Sequence, residues 1–341
     1  RYYDVESVSS HAFAQYGKLI YTEKDEKTLF DNMWQKCYLV IACCNTVIEK
    51  CNENKAQLSP QWLGSIKGEA LALRAMLHFD MLRLFGPLTS ELDKESIPYQ
   101  TDSRQTVTPL LSGMKVLELI LEDLTEARDL LKEADPYFVE DGYSGTDMFY
   151  RSFRMNYFAV KGLMARVYLW KGDKEKAAAT AKEVIAEGTG LFPFVTNSAA
   201  TSSDPDRRFY SEVLFGAYNS SREKLQEELF APTLESTKIL TFAGATRREE
   251  LYDDKNDYRY MIWSTYNKNG TSVLYHRKYE KFDNNTSRHQ YMIALIRMSE
   301  MYLIAAECCD LPEALGYLNT YRNARNCFSI YPTEDSRISC L

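Results

Sequence analysis

The sequence has 341 residues, with 45% hydrophobic and 26% charged side chains and a formal net charge of −7. A chain of this length can bury a large core, and this composition is typical of an ordinary globular protein. Nucleic acid is not an expected partner, because the balance is acidic and no basic run offers the positive surface that displaces counterions from phosphates. The low numbers of glycine and proline, 15 and 10, favour helices over a turn-rich β fold.

The N-terminal part of the chain contains a polar and aromatic lead-in, in which a helix is predicted to start near Ser9, and then a longer predicted helix. The longer helix covers residues 29–51, where apolar side chains recur at steps of three and four. Asn45 lies on the apolar stripe of this helix. We interpret it as a buried amide that hydrogen-bonds a neighbouring helix end or a loop, rather than a ligand.

The cysteines do not indicate a disulfide framework or a metal site. Cys37, Cys44 and Cys51 lie seven residues apart on one helix, and this spacing of about 10 Å is too long for a disulfide or a shared metal ion. No CxxC motif occurs among the 8 cysteines. We interpret them as small buried hydrophobic side chains and predict no zinc site.

The strongest helical pattern covers residues 62–88, WLGSIKGEALALRAMLHFDMLRLFGPL. Ser59 and Pro60 mark its start, since they are a capping residue and a proline in the first turn. Gly86 and Pro87 mark its end, where we expect the glycine to adopt a left-handed conformation.

Charged residues on this helix invite a catalytic interpretation, but their spacing favours a structural one. We predict that Glu69 and Arg74 reach neighbouring helices and fix their register. Asp80 and Arg83 are three residues apart and pair on one helix face, where an exposed pair contributes a few tenths of a kcal/mol. We interpret His78 as a packed or half-exposed ring rather than a base.

Further helices are predicted downstream, and they are separated by a region of different character. The predicted helices cover residues 110–131, 153–170, 174–187, 292–305 and 312–323. Small residues at tetratricopeptide spacing predict that residues 153–187 form a helical hairpin that turns at Gly172. Arg297 and Glu300, in the second hairpin, are interpreted as a structural pair. Between the hairpins, helical periodicity fades, loops dominate, and the alternation in EVLFGAYN predicts a short strand.

Several of these blocks resemble the SusD/RagB family of surface nutrient-binding lipoproteins, which partner TonB-dependent outer-membrane transporters. The similar blocks are GEALALRAMLHFDMLRLFGPL, NYFAVKGLMARVYLWKGDKEKA, IRMSEMYLIAAE and LNTYRNAR, together with Trp34, Tyr38, Ile41, Asn45 and Ile48 in the first helix. They occur in the family's order. The chain departs from the family at its end, where RNCFSIYPTEDSRISCL replaces the usual E-x-x-x-E-(F/L)-x-x-E-G block. We expect either a truncated chain or omitted residues there.

The resemblance implies an all-α fold of tetratricopeptide-like helical hairpins with a loop-rich, irregular insertion. It implies one SusD-like domain over residues 1–341, with a helical scaffold at 29–187 and 291–325 and a ligand-face insertion at 188–290. The implied function is non-enzymatic capture of oligosaccharide, or of peptide in some branches, for a SusC-like TonB-dependent transporter. The implied location is the outer-membrane surface, through an N-terminal lipid anchor that this chain lacks.

Aromatic loops are the candidate ligand surface, because sugars stack on aromatic rings while amides and carboxylates take the hydroxyl groups. Two clusters combine these side chains. The candidate ligand-binding residues are Trp263, Tyr266, Asn267 and Asn269 in the first cluster, and Tyr143, Phe149 and Tyr150, near Asp141 and Asp147, in the second. The alternative is that half or more of these rings only pack the insertion onto the scaffold.

Motifs for other chemistry are missing from the sequence. There is no GxxxxGK phosphate loop, no HExxH and no GxSxG. Asp253, Asp254 and Asp257 lack the glycine and terminal glutamate of an EF-hand. We therefore predict no catalytic residues, cofactor or metal. The alternative function is a helical-repeat scaffold for protein partners, marked by a groove lined by helix residues; a glycan-cleaving enzyme would need two facing carboxylates.

Overall fold

The structure is a computed structural model that describes residues 3–104, 107–139, 143–242, 245–282 and 288–331. It confirms the predicted all-α class. The helices are α1 (Ala14–Gly17), α2 (Lys24–Glu53), α3 (Pro60–Phe85), α4 (Gly113–Ala134), α5 (Gly145–Phe149), α6 (Tyr157–Lys171), α7 (Lys174–Gly188), α8 (Asn197–Thr201), α9 (Arg222–Leu225), α10 (Ala245–Leu251), α11 (Tyr258–Met261), α12 (Met298–Cys308) and α13 (Glu313–Ala324). The strands are β1 (Glu95–Pro98), β2 (Leu110–Ser112), β3 (Val213–Tyr218), β4 (Trp263–Lys268), β5 (Thr271–His276) and β6 (Met292–Arg297).

The long helices pack in one continuous row. Helix α3 contacts α2 on one side and α4 on the other; α4 contacts α6, α6 contacts α7, α7 contacts α12 and α12 contacts α13. The two predicted hairpins, α6–α7 and α12–α13, are therefore adjacent in this row. Gly172 closes the first of them in the left-handed region, at φ 84°, as the predicted turn requires. No helix in the described part of the chain is long and apolar enough to span a membrane.

The ends of α3 confirm the predicted boundaries and correct one detail. The Ser59 hydroxyl accepts a hydrogen bond from the Trp62 amide at 3.3 Å, and Pro60 occupies the first turn. Gly86 is extended, with φ −85° and ψ 179°, rather than left-handed. A Cβ atom at Gly86 would lie 2.4 Å from the Leu82 carbonyl oxygen, so this position requires glycine for space and not for a positive φ.

Arg74 and Asn45 link α2, α3 and α4, as their predicted structural roles require. The Arg74 guanidinium donates two hydrogen bonds to the Asp123 carboxylate on α4, at 2.7 and 2.6 Å, and a third to Asn45 Oδ1 at 3.0 Å. Asn45 Nδ2 donates to the carbonyl oxygens of Gln100, at 3.2 Å, and Asp102, at 2.9 Å. The buried amide therefore holds a loop, as the sequence predicts.

Glu69 reaches across to the segment before α6. Its carboxylate accepts hydrogen bonds from Arg151 at 2.5 Å and from Arg154 at 2.8 Å. Arg151 also donates two hydrogen bonds to Asp135, at 2.9 and 2.7 Å, and both of these side chains are buried. These pairs therefore clamp neighbouring elements together, which confirms the structural interpretation of Glu69.

Two further predicted pairs have different outcomes. Asp80 and Arg83 pair at 2.7 Å on the exposed face of α3, as predicted. Glu300 instead accepts two hydrogen bonds from Arg166 on α6, both at 2.6 Å. The predicted pair of Arg297 with Glu300 is therefore wrong, because Arg297 is the last residue of a strand and lies outside the helix that carries Glu300.

Three two-stranded antiparallel sheets supplement the helices: β1 with β2, β3 with β6, and β4 with β5. The predicted strand in EVLFGAYN is β3, and its register places Tyr218 opposite Met292. Two helix predictions are wrong at their starts, since residues 110–112 and 292–297 are strands. A short apolar run is compatible with a helix or a strand, and here pairing with another strand makes each run a strand.

The described cysteines are all free, and Cys340 lies outside the described residues. Cys44 and Cys51 are buried on α2, whereas Cys37 is half-buried and Cys43 is exposed. The interpretation as small buried hydrophobic side chains is confirmed for Cys44 and Cys51. Cys43 faces solvent and does not follow it.

Candidate functional site

Trp263, the first candidate ligand residue on β4, is buried. Its side chain is 4% exposed, and its ring stacks on Phe242 with centroids 3.9 Å apart. His276 lies against it at 4.5 Å. Because both neighbours cover the indole, it offers no free face to a sugar ring. Trp263 therefore anchors the hairpin, contrary to the expectation that it is a stacking platform.

The two candidate asparagines shape the turn between β4 and β5. Asn269 and Gly270 have φ values of 52° and 86°, as a tight hairpin turn requires. Asn267 Oδ1 accepts a hydrogen bond from the Gly270 amide at 2.8 Å. Tyr266, between Trp263 and this turn, is 42% exposed. Of the two aromatic candidates in this cluster, Tyr266 is therefore the exposed one, and its binding role stays a prediction.

Tyr143, in the second cluster, packs between two helices. Its hydroxyl donates to the Ala134 carbonyl oxygen at 2.7 Å and meets the Ser65 hydroxyl, while its ring lies 5.0 Å from the Trp62 ring. Burial raises the pKa of the Tyr143 hydroxyl above its usual value. The residue thus ties the start of α3 to the end of α4.

Asp147 caps the short helix α5. Its carboxylate accepts hydrogen bonds from the Ser144 amide, at 2.8 Å, and from the Ser144 hydroxyl, at 2.7 Å. These two bonds, the amide bond first, lower the pKa of Asp147. Asp141, the other carboxylate of this cluster, lies outside the described residues.

Phe149 and Tyr150 form the exposed part of the second cluster. They are 47% and 44% exposed, and their rings meet edge to face at 4.9 Å. Large apolar rings at this exposure are the usual material of a binding surface. These two rings are exposed, and this part of the predicted site stays a prediction.

Additional rings continue this surface away from α5. Phe153 lies 6.2 Å from Tyr150, Tyr218 lies 6.0 Å from Phe153, and Tyr291 lies 5.4 Å from Tyr218, all between ring centroids. Tyr218 is 60% exposed. We call Phe149, Tyr150, Phe153, Tyr218 and Tyr291 the aromatic ridge.

The backbone explains why residues distant in sequence meet along the ridge. Phe153 ends the 3₁₀ turn Arg151–Phe153, which Arg151 holds through its buried carboxylate partners. Tyr218 is the last residue of β3, and Tyr291 immediately precedes β6. The Asn219 amide donates to the Tyr291 carbonyl oxygen at 2.8 Å and extends that pairing. The β3–β6 sheet therefore brings the two tyrosines to one place.

Sequence reasoning missed Phe153, Tyr218 and Tyr291. The position of Phe153, three residues after Tyr150, was a usable indication. Tyr218 could have been found as the exposed end of the alternating strand. Tyr291 had no local indication, because only the pairing of β3 with β6 places it beside Tyr218.

Several cavities of the described part of the chain lie apart from the ridge. A wide groove of about 1280 Å³ runs along α3 and α4, with Leu63, Leu121 and Leu130 in its lining and glutamates at its margin. A cavity of about 540 Å³ lies between the insertion and the α12–α13 region. Within the described ranges, no group of three or more His, Cys, Asp or Glu side chains could hold a metal ion.

Comparison with known proteins gives consistent similarities. A sequence model of a SusD-like family, described as "Starch-binding associating with outer membrane", matches residues 2–169. The SusD-like protein P38 of Formosa agariphila is 28% identical over 166 residues, which cover 48% of this chain and 27% of that protein.

Solved structures agree with the sequence comparisons. A SusD superfamily protein from Bacteroides thetaiotaomicron has a TM-score of 0.68 and 24% identity, covering 86% of this chain and 65% of that one. A SusD-like carbohydrate binding protein from Bacteroides vulgatus has a TM-score of 0.71 and 21% identity, and the match covers 94% of this chain and 67% of that one. This chain thus spans about two thirds of the length of these structures. The family's sequence blocks occur here in order and its helical architecture is observed, so the chain is similar to the SusD/RagB family in sequence and in fold.

Proposed function

We propose that the protein is a non-enzymatic nutrient-binding protein of the cell surface that captures oligosaccharide on the aromatic ridge. It delivers the oligosaccharide to a SusC-like TonB-dependent transporter and is held at the outer membrane by a lipid anchor. The single-domain organisation with a scaffold at 29–187 and 291–325 and an insertion at 188–290 is part of this proposal. On that division the ridge combines scaffold and insertion residues.

The aromatic ridge is the observation that carries the proposal. Its neighbouring ring centroids lie 4.9 to 6.2 Å apart, and Phe149, Tyr150 and Tyr218 are exposed. A row of rings offers successive apolar faces to successive sugar units, whereas a closed pocket would select a single small molecule. The family description as starch-binding supports a glycan over the alternative peptide ligand.

The test is calorimetric titration with a panel of soluble oligosaccharides and peptides, comparing the wild type with Tyr150→Ala and Tyr218→Ala. A ring that stacks on the ligand contributes on the order of 1.4 kcal/mol, so each variant should bind about tenfold more weakly. Tyr266→Ala is the matched control, because it removes from the β4–β5 hairpin a tyrosine about as exposed as Tyr150.

The outcomes separate the two predicted clusters. Weaker binding in both ridge variants, with Tyr266→Ala unchanged, supports the ridge. If only Tyr266→Ala loses oligosaccharide binding, the binding site lies on the β4–β5 hairpin and not on the ridge. Binding that none of these substitutions changes would reject both surfaces. Delivery is tested separately, by asking whether the protein co-purifies with a TonB-dependent transporter from outer membranes.

A second candidate function, a scaffold for protein partners, is favoured by the groove along α3 and α4. The groove is lined by helix residues and lacks aromatic loops, which is the feature that this alternative predicts. Leu121→Ser would remove apolar surface from it. If the groove holds a partner protein, this variant should lose co-purification while retaining oligosaccharide binding. Unchanged co-purification would argue against the groove.

A further inference from the structure

The cavity between the insertion and the α12–α13 region has a cationic wall. Its volume is about 540 Å³, and its lining contains Arg207, Arg259, Lys278, Arg297 and Arg325 but no acidic residue among those described. A smaller recess shares Lys278 and Arg297 with it and adds Arg208. We call these two spaces together the cationic cavity. Its charge contrasts with the net charge of −7 of the whole chain.

Some of these cations are neutralised by carboxylates behind the wall. Arg325 donates two hydrogen bonds to Glu212, both at 2.6 Å. Arg259 pairs with Asp257 at 2.5 Å. These two arginines therefore have structural partners and do not explain why the cavity is cationic.

Lys278, Arg297 and Arg208 lack a close ion pair with any described residue, and the charges of Asp206 and Glu212 act on the two arginines only from a greater distance. Within the described ranges, none of the three has a carboxylate within 4.0 Å, the limit for an ion pair. Arg208 donates to the Gln290 carbonyl oxygen at 3.1 Å, and its guanidinium lies 4.1 Å from the centre of the Phe282 ring. Its Nη2 atom is buried without a hydrogen-bond partner. Such a nitrogen costs free energy unless a ligand or an ion pairs with it.

Arg222 adds a further buried cation behind this group. It is fully buried, and it donates to the carbonyl oxygens of Tyr279, at 3.0 Å, and Gln290. Its Nη2 atom is also buried without a partner. Burial lowers the pKa of Arg208 to about 9, and repulsion from the charge of Arg222 adds to this effect. Burial, Arg297 and Arg208 lower the pKa of Lys278 to about 8.

We propose that the cationic cavity binds an oxyanion, a carboxylate or sulfate group, in its larger space against Lys278 and Arg297, with Arg208 in the adjoining recess of about 20 Å³. Guanidinium groups present paired N–H donors that match the two oxygens of such a group, and the ammonium adds a point charge. An oxyanion would supply the close ion pair that no described carboxylate makes with these three cations. The site shares no residue with the aromatic ridge, so the inference goes beyond the proposed function and does not depend on it.

The oxyanion has two sources, an acidic group on an oligosaccharide or a free inorganic ion. Calorimetric titrations of the purified chain with sodium sulfate, trigalacturonic acid and neutral maltotriose, at constant ionic strength, distinguish them. The variants are Arg297→Gln and Lys278→Met. Arg128→Gln is the control, because it removes a partly exposed arginine from α4, outside the cavity lining.

We expect saturable binding of an anionic probe at one site, weakened at least tenfold in both variants and unchanged in Arg128→Gln. Tighter binding of trigalacturonic acid than of sulfate assigns the site to an acidic oligosaccharide, and equal or tighter binding of sulfate assigns it to an inorganic ion. If neither probe binds saturably, or if both variants bind as the wild type does, the proposal is wrong.

Thermal unfolding supplies a second measurement. A variant that has lost its anion binding only because it folds poorly would not show the result expected here. Without added oxyanion, Lys278→Met should unfold at a higher temperature than the wild type, because it removes a half-buried charge that Arg297 and Arg208 repel. The anion-dependent rise in the wild-type unfolding temperature should be smaller in this variant. A lower unfolding temperature combined with a full anion-dependent rise would contradict the proposed site.

Discussion

His78 shows how a buried side chain on α3 acquires a defined chemical state from its neighbours. Its ring is fully buried and stacks on Tyr99 at 4.0 Å. Nδ1 lies 2.9 Å from the Arg74 carbonyl oxygen and therefore donates, while Nε2 accepts from the Gln100 amide at 3.0 Å. A proton on Nε2 would face another N–H group. Burial outweighs the hydrogen bond to the Arg74 carbonyl oxygen and lowers the pKa of His78 to about 3, so the imidazole is neutral.

This environment predicts a pH-dependent stability. Below pH 6.5 the unfolded chain binds a proton at His78 and the folded chain does not, so stability falls as the pH falls, by about 1.4 kcal/mol per pH unit down to about pH 3. His78→Gln removes this contribution. The free energy of unfolding that the variant loses relative to the wild type, measured in urea, should be constant above pH 7. Between pH 6 and pH 4 this difference should shrink by about 1.4 kcal/mol for each unit that the pH falls. A pH-independent cost would contradict the neutral ring.

For single residues, the sequence predicts the structural role of a side chain better than the identity of its partner. The amide of Asn45 and the charges of Glu69 and Arg74 were expected to bond neighbouring elements, since polar groups on an apolar stripe must be satisfied. Their partners Asp102, Asp123 and Arg151 depend on chain packing that one sequence does not encode locally. The site is less predictable. Trp263 and Tyr218 are both aromatic residues near strand ends, and only the packing of the rest of the chain buries one and exposes the other.

Helices α3 and α4 approach each other closely because glycines lie where they cross. A Cβ atom at Gly64 would lie 2.7 Å from the Ala134 Cβ atom, and one at Gly68 would lie 2.9 Å from the Leu131 Cγ atom. Neither distance is tolerated without a shift of the helices. The glycines therefore reduce helix propensity in α3 in exchange for close packing in the scaffold.

This contact predicts opposite effects for two glycine-to-alanine substitutions. Gly68→Ala should destabilise the protein by about 1–3 kcal/mol, because overpacking outweighs the gain in helix propensity. Gly316→Ala, on α13, should stabilise it by up to about 1 kcal/mol, since nothing lies within 4 Å of a Cβ atom there. Urea unfolding of both variants measures the difference. Equal shifts would show that packing against α4 does not constrain Gly68.

Helices and strands were predictable where nearby residues determine their type and ends. They were not predictable where pairing with a distant strand determines them. The caps at Ser59 and Gly172 follow from residue type and spacing, and the structure places both as predicted. The apolar run in β6 fits a helix as well as a strand. Its identity depends on β3, about 80 residues earlier, and so the helix predicted from residue 292 begins only at Met298.

Across the whole molecule, buried contacts attach the region between α7 and α12 to the helical row. The β3–β6 sheet is one of them. Arg325, at the end of α13, is another: its guanidinium pairs with Glu212 directly before β3, and its carbonyl oxygen accepts from the Tyr258 amide at 3.1 Å. Both side chains of the pair are buried, with 2% and 0% exposure. The position of β3, and therefore of Tyr218 on the ridge, depends on this pair.

Removing Arg325 should loosen this attachment. Arg325→Met leaves the Glu212 carboxylate buried without its partner, so the expected cost is about 3–5 kcal/mol in urea unfolding. Hydrogen exchange should show the loss of protection first in β3 and near Tyr258. Lys182→Met, which breaks the exposed pair with Glu313 between α7 and α13, is the control and should cost less than about 1 kcal/mol.

The double variant Arg325→Met, Glu212→Leu tests the physical cause of that cost. If the cost comes from an uncompensated buried charge, replacing both partners with apolar side chains should recover most of it. Restored exchange protection in β3 should then accompany restored oligosaccharide binding on the aromatic ridge, because Tyr218 returns to its place beside Phe153 and Tyr291. A double variant as unstable as Arg325→Met would show that the arginine acts through packing on its aromatic neighbours instead. A stable double variant with an unprotected β3 would show that the sheet needs the ion pair itself.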